Sequence, residues 1–340
     1  MTPAVPACSV LLPVHNAAAT LEACLHSIAA QTYGDYEVIA INDHSTDNSP
    51  DILSRYAGTD SRIRVSDAPR RGLVNALNAG LERCRAPLVA RMDADDLMRP
   101  ERLARQVMAL RNDALIDVLG SRVALLEGPT TADGFRAYVA WQNQCLEPEQ
   151  IAHQRYVESP LAHPSVMFRL ERIRRAGGYR DGLFPEDYEL WLRLLHNGAR
   201  LAKLPDVLLD WRDAPHRLSR TDPRCARESF DRLRAHWLAR DPRILEARDR
   251  LVIWGAGRPT RQRCAHLLDQ GFGLRAWIDI DAKKIGNVVR GARIHSPAAL
   301  PDLRDTFVLS YVTNHGAREK IAQVLRQHGR REGEDWLAVG

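Results

Sequence analysis

An α/β fold with a mainly parallel sheet flanked by helices, followed by a second, smaller α/β unit, is what this 340-residue sequence predicts. Three observations lead there. Apolar runs alternate with helically spaced leucines over residues 8–92; polar residues gather where those runs end; and a new apolar run meeting Gly255-Ala256-Gly257 restarts the pattern near Arg250.

Cys8 to Val14 is a continuous apolar run ending in Pro-Val-His-Asn, the pattern of a strand buried on both faces. Leu21, Leu25, Ile28 and Ala29 then recur at helical spacing until Gly34 breaks it. Glu37 to Ile41 predicts a second strand, and Ser49-Pro50 predicts an N-cap and a first-turn proline for a helix through Tyr56. Ile63 to Val65 is a third strand. Gly72 to Arg83 carries Leu73, Leu77 and Leu81 at four-residue intervals and leads into a fourth strand, Pro87 to Met92. Beyond 97 the pattern is mixed, with a helix at Glu101–Arg111, strands near Val118 and at Ser165–Phe168, and a helix from Asp187 to His196 stopped by Gly198. Residues 215–248 are Arg-rich and interrupted by Pro223 and Pro242, as expected of a helix and linker. Leu251–Trp254, Arg275–Ile280 and Phe307–Val312 supply the strands of the last unit.

Size and composition fit about two ordinary globular domains, with 45% hydrophobic and 27% charged residues. A formal charge of +5 admits nucleic acid or an anionic membrane as partner. Only four of the 48 basic residues are lysine (Lys203, Lys283, Lys284, Lys320), a bias that reflects a GC-rich genome better than a binding surface, so no nucleic acid is expected. The six cysteines are scattered without metal-ligand or disulfide spacing, which suits a reducing compartment. Residues 1–21 lack charged side chains but are broken by prolines and have no basic lead, so neither a signal peptide nor a span is expected there. The expected location is cytoplasmic. The basic 215–248 stretch also allows peripheral contact with the inner membrane face, a solvated surface being the simpler reading.

In parallel sheets ligands sit beyond the carboxyl ends of the strands. His15-Asn16, Asn42-Asp43 and Asp93 with Asp95 occupy three such ends. If the fourth strand runs on through Met92, alternation places Asp93 and Asp95 on one side and Asp96 on the other. Neighbouring carboxylates repel, and such pairs persist where a divalent cation or sugar hydroxyls compensate them; a solvated acidic turn is the plain alternative.

The segments SVLLPVHNAAATLEACLHSIAAQTYGDYEVIAINDHSTDNS, RRGLVNALNAGL, ARMDADD, HPSVMFR and PEDYELWLRLL, in this order, resemble the successive blocks of family 2 glycosyltransferases over about residues 7–215. The resemblance implies a GT-A nucleotide-diphospho-sugar transferase fold and an inverting, metal-dependent transfer from a nucleotide sugar, most readily a UDP-sugar. The acceptor it implies is a hydroxyl of a cell-surface glycan or lipid-linked oligosaccharide. Carried over by position, it implies that Asp43 accepts a hydrogen bond from the nucleobase and that Pro13, His15 and Asn16 line the base and ribose pocket. His15 departs from the Tyr common there. Arg71 then faces the donor diphosphate, Asp93-Ala94-Asp95 is the DXD motif with Asp95 and Asp93 toward Mn or Mg, and His163 lies near the diphosphate. Asp187 of the Glu186-Asp187 pair falls at the general base. On spacing alone those two acids suit a helix N-terminus equally well.

The segments VIWGAG, WIDIDAKKIGN and IHSPAAL resemble Rossmann-like nucleotide-binding domains attached to bacterial sugar-modifying enzymes. Thr260 stands where a third glycine would fall, and Asp279 is close to the offset of a ribose-binding acid. The expected division is a GT-A domain over 1–215, a helical Arg-rich linker over 216–248 and a Rossmann-like domain over 249–340. Three competing functions fit the sequence less well. A sugar nucleotidyltransferase lacks its Gly-rich phosphate loop here, an NAD-dependent oxidoreductase lacks the third glycine, and a non-catalytic nucleotide-sugar-binding glycan-assembly partner has no need of Asp187.

Overall fold

The computed structural model describes residues 5–128, 131–213, 218–313 and 316–340. The chain divides into two compact units. The first comprises Met1–Ile151, Pro160–Gly182 and Glu186–Thr221; the second comprises Ala152–Ser159, Leu183–Pro185 and Asp222–Gly340. The boundary expected between residues 215 and 216 lies outside the described residues.

The first unit opens with β1 (Cys8–Val14), α1 (Leu21–Ala29), β2 (Tyr36–Asn42), α2 (Ser49–Thr59), β3 (Ile63–Asp67), α3 (Leu73–Arg83) and β4 (Leu88–Arg91). It continues through β5 (Leu97–Met98), α4 (Arg102–Asn112), β6 (Val118–Leu126), α5 (Asp133–Gln142), α6 (Pro148–Gln154, whose last three residues fall in the second unit), β7 (Met167–Arg169), α7 (Leu170–Arg175), α8 (Glu186–His196), β8 (Leu201–Arg212) and the short α9 (Leu218–Thr221). Among the described residues the strands form one sheet in the order β3-β2-β1-β4-β7-β6-β8-β5. β1 runs parallel to β2 and β4, whereas β7 is antiparallel to both β4 and β6.

Both faces of β1 are buried, which is why its apolar run is unbroken. Val10, Leu12 and Val14 pack with Leu21, Leu25 and Leu53 on one side, and Leu11 packs with Leu77, Leu81 and Leu190 on the other. Gly80 lets α3 lie against β1, since a β-carbon there would collide with Leu11. Two expectations need correction. Ser49 does not cap α2: it is the first residue of that helix, fully buried, and its Oγ accepts the Ala17 amide at 2.9 Å. The fourth strand stops at Arg91 rather than running through Met92, and the chain turns at Ala94-Asp95.

The second unit contains α10 (Arg227–Leu238), α11 (Pro242–Glu246), β9 (Leu251–Trp254), α12 (Arg258–Leu268), β10 (Leu274–Ile278), β11 (Val288–Val289), β12 (Ala292–His295), β13 (Phe307–Ser310), α13 (Ala317–Gln327) and β14 (Trp336–Ala338). Its sheet order is β11-β12-β10-β9-β13-β14, parallel throughout except for β11 against β12. Gly255 ends β9 at φ +105°, and a β-carbon there would lie 2.9 Å from Val312 Cγ2, so only glycine serves. Asp279, the candidate ribose acid, is turned onto the protein itself. It accepts the Ala256 amide at 2.8 Å and the Asp281 amide at 2.9 Å and pairs with Lys284 at 3.1 Å.

Asp241 anchors the start of the second unit. Fully buried at the N-cap of α11, it accepts from Arg155 Nη2 at 2.5 Å, Tyr156 Oη at 3.0 Å and Arg243 Nη2 at 2.6 Å. Burial alone would raise its carboxyl, but the hydrogen bonds and charge of Arg243 and Arg155 outweigh burial and hold it at about 2. Among the described residues no helix is long and apolar enough to cross a membrane.

Candidate active site

The carboxyl ends of β1 and β2 carry the first group of candidate residues. Asp43 follows β2 and is buried; its Oδ1 accepts the Gly72 amide at 2.7 Å. Gly72 sits at φ +124°, a backbone that glycine alone adopts without strain, and this puts Arg71 at the mouth of α3. His15 Nδ1 lies 2.7 Å from the Asp43 carbonyl oxygen, which only accepts, so Nδ1 carries the proton. Nε2 is then free to accept from Arg71 Nη2 at 3.4 Å. His15, Asp43, Gly72 and Arg71 thus form a closed set of contacts drawn from three loops.

Pro13 lies buried inside β1, and Asn16 plays a different part from its neighbours. At φ +47°, it receives the Thr46 amide on Oδ1 at 2.8 Å and donates its own amide to Ser45 Oγ at 3.1 Å. The Ala18 amide donates to Asp47 Oδ2 at 2.9 Å. Together with Ser49 and Ala17, these bonds lash the loop after β1 to the loop after β2.

The acidic turn after β4 is the second group. Asp93, Asp95 and Asp96 each offer a carboxylate oxygen, and these oxygens lie within 4.8 Å of one another. The alternation expected from a continued strand is therefore corrected: because the chain turns at Ala94-Asp95, Asp96 joins the cluster instead of facing away. Its position is fixed from β8, where the Arg212 amide donates to Asp96 Oδ1 at 2.7 Å and Arg212 Nε donates to the Asp95 carbonyl at 2.8 Å. On the other flank Thr20 Oγ1 donates to the Ala94 carbonyl at 3.0 Å.

Behind the turn lie two buried guanidinium groups. Arg91, 2% exposed, places Nη1 2.5 Å from Asp93 Oδ2. Burial opposes its charge, but Asp93 outweighs burial and the pKa is raised. Arg102 donates from Nη2 to the carbonyls of Arg91 at 2.8 Å and Val166 at 3.2 Å, and from Nε to Gln106 Oε1 at 3.1 Å. With carbonyls and an amide around it instead of a paired carboxylate, burial lowers its pKa to about 9.

The third group sits at the start of α8. Burial and then the neighbouring Glu186 charge push Asp187 up to about 7, although its Oδ1 accepts the Tyr188 amide at 2.7 Å. His163 is buried with Nε2 2.8 Å from Tyr179 Oη and Nδ1 4.0 Å from Glu186 Oε1. Burial and then the Arg91 charge carry its pKa well below the ordinary range, so the ring is neutral. The loop bearing Tyr179 is held by α8 itself, since Arg193 Nη2 donates to the Gly178 carbonyl at 2.8 Å while pairing with Glu189 at 2.9 Å.

His163, Glu186 and Asp187 are thus gathered in one place, as are His15, Asp43 and Arg71, and Asp93 with Asp95. Sequence reading missed Arg91, Asp96, Arg102, Tyr179 and Arg212. The signal for Arg91 was available: an arginine inside an apolar strand, two residues before a pair of aspartates, needs a buried partner.

Residues 9–173 match the family described as Glycosyl transferase family 2. The chain is 34% identical over 204 residues to the amylovoran biosynthesis glycosyltransferase AmsE of Erwinia amylovora, covering 59% of this chain and 74% of that protein. It is 31% identical over 208 residues to the O-antigen biosynthesis glycosyltransferase WbnJ of Escherichia coli, covering 60% and 78%. Among solved structures, S. aureus TarS 1-349 in complex with UDP-GlcNAc superposes with a TM-score of 0.55 at 18% identity, over 78% of this chain and 72% of that one. At that identity the likeness carries the fold alone, and the fold is GT-A.

Proposed function

This chain belongs to glycosyl transferase family 2, and from that membership we propose an inverting, metal-dependent glycosyltransferase that moves a sugar from a UDP-sugar to a hydroxyl of a cell-surface glycan or lipid-linked oligosaccharide. The observation that carries the reading is the convergence of Asp93, Asp95 and Asp96 at the carboxyl end of β4. Two relatives named for amylovoran and O-antigen biosynthesis support the acceptor class, and the UDP-GlcNAc held by TarS supports the donor class.

The donor set fits a hard divalent ion such as Mn or Mg, because all three groups offer carboxylate oxygen. Asp95 and Asp93 would hold it with Asp96 alongside. When bound, such an ion offsets the negative charge that builds on a departing diphosphate. Asp43 reads the nucleobase in a pocket shared with Pro13, His15 and Asn16, and Arg71 faces the diphosphate. Asp187 takes the proton of the acceptor hydroxyl as it attacks the anomeric carbon opposite the leaving group. One displacement with one base inverts the configuration. A carboxylate lifted to about 7 is matched to that task near neutral pH, and neutral His163 adds no competing charge. In this reading the chain works on the cytoplasmic side, residues 1–215 carry the transfer, and 249–340 form a Rossmann-like unit beyond the linker 216–248.

Thermal-shift measurements with UDP, GDP and CDP, each with and without Mn, test the donor reading. A ligand at 100 times its Kd stabilises by about 2.7 kcal/mol, which a melting curve resolves. Mn-dependent stabilisation by UDP above the others is the expected result; none by any nucleotide overturns it.

A further inference from the structure

Arg91 lies buried beside the acidic turn, and neither the resemblance nor the proposed chemistry gives it a role. It sits at the end of β4, beside Leu11 of β1, and its backbone amide donates to the Val166 carbonyl at 2.9 Å. The side chain is 2% exposed, and its Nε has no hydrogen-bond acceptor among the described residues. A buried guanidinium left partly unsatisfied is expensive, so it persists where charge demands it. Here the demand is plain: Asp93 lies 2.5 Å away and belongs to a cluster of three carboxylates.

The charges at the turn show what this does. Arg91 on Asp93, with Arg102 behind the turn and Arg212 on the Asp95 carbonyl, sets positive charge against the three carboxylates before any ion binds. A divalent cation alone therefore gains less on entering than three bare carboxylates would give it, and once it has entered the added charge favours a diphosphate. Without Arg91 the turn would carry one more net negative charge and would hold a divalent cation more tightly on its own.

We infer that Arg91 is the resident counter-cation of the acidic turn, a positioning residue that holds Asp93 and keeps divalent-cation binding weak until a nucleoside diphosphate is present. The inference rests on the metal-dependent reading above. It separates cation loading from mere cation availability: the site fills when donor arrives, and the free enzyme does not sequester the ion.

The test is Mn binding to the full-length chain, followed by the electron paramagnetic resonance of free Mn, with and without UDP. In the unmodified protein UDP should tighten Mn about tenfold or more, and by linkage Mn should tighten UDP by the same factor. Arg91→Met should bind Mn alone about tenfold more tightly than the unmodified protein, whereas Arg91→Lys, which keeps the charge, should stay close to it. A purely structural role predicts the opposite sign, since loosening the turn weakens the site. If Mn binds the unmodified protein equally well with and without UDP, the inference fails whatever the variants do. If UDP does tighten Mn but folded Arg91→Met binds Mn no more tightly than before, the inference fails and the metal-dependent reading stands. If no Mn binds even with UDP, both fall together.

Discussion

The Asp43 carboxylate accepts the Gly72 amide at 2.7 Å, so the residue proposed to read the base also holds the loop proposed to carry the diphosphate-facing arginine. One side chain therefore has two jobs, and substitution can separate them. Asp43→Ala should lose both, raising the donor KM by the equivalent of about 1.5–3 kcal/mol and relaxing the choice among UDP-, GDP- and CDP-sugars. Gly72→Ala keeps the carboxylate but strains a backbone at φ +124°, so it should raise KM while leaving base preference intact. Steady-state kinetics with the three donors decide the matter; relaxed base choice in Gly72→Ala alone would remove Asp43 from the base pocket.

Asp95 and Asp96 should differ in what they lose. Asp95→Asn should nearly abolish transfer and weaken Mn-dependent UDP binding with the melting temperature unchanged. Asp96→Ala also removes the acceptor of the Arg212 amide, a group fixed in β8, and should cost about 1–3 kcal/mol of stability as well. Denaturant titration beside the kinetics separates them. Equal melting temperatures for both variants would show that the Arg212 bond contributes nothing.

For Asp187, Asp187→Asn should lower kcat by about 10² to 10⁴ with donor affinity nearly unchanged. Activity should fall below about pH 7, where this base takes up its proton. The same raised pKa has a stability consequence of definite sign: the folded state holds the proton more tightly than the unfolded chain. Its favourable contribution is complete below about pH 4 and is lost as pH rises through 7. Asp187→Asn should therefore flatten the loss of stability between pH 5 and pH 8. Should Glu186→Gln be the inactive variant instead, the base moves by one residue.

Asp241 behaves in the opposite sense. Its carboxyl is held at about 2, so it stabilises the fold above pH 4 and loses that contribution as pH falls toward 2. Asp241→Asn leaves Arg155 and Arg243 facing a neutral amide in a buried site and should cost about 3–5 kcal/mol at pH 7. The deficit should shrink on acidification, and a deficit that stays constant from pH 7 to pH 2 would assign the effect to shape and not charge.

β1, β2 and β4 were legible because burial on both faces leaves apolar runs and because the turns around them carry Gly, Pro, Asn and Asp; the mostly exposed β3 shows only Ile63 and Val65 as its signal. β8 was not legible, since Pro205, Asp206 and Asp210 break its run; the ladder tolerates them through register shifts at Ser121–Val123 of β6. The acidic turn was legible as Asp93 and Asp95 but not as a cluster of three. Period-two reasoning holds only while the strand lasts, and this strand ends at Arg91. Arg91 and Arg102 escaped notice for a related reason: charge in a sequence reads as surface, and only coordinates show the carbonyls and carboxylate that make its burial tolerable.

The bonds that lash the loop after β1 to the loop after β2 have a thermodynamic consequence. Asn16 with Thr46, Ala18 with Asp47 and Ala17 with Ser49 fix backbone that, on the proposed reading, a nucleotide would otherwise have to order on binding. The conformational entropy of those loops is lost during folding, where the whole core offsets it, and not on binding, where a single ligand would have to. On the proposed reading, a base entering this pocket would meet walls already in place. Its affinity would then report contacts almost undiluted by reorganisation, and single-atom differences among nucleobases would translate directly into selectivity.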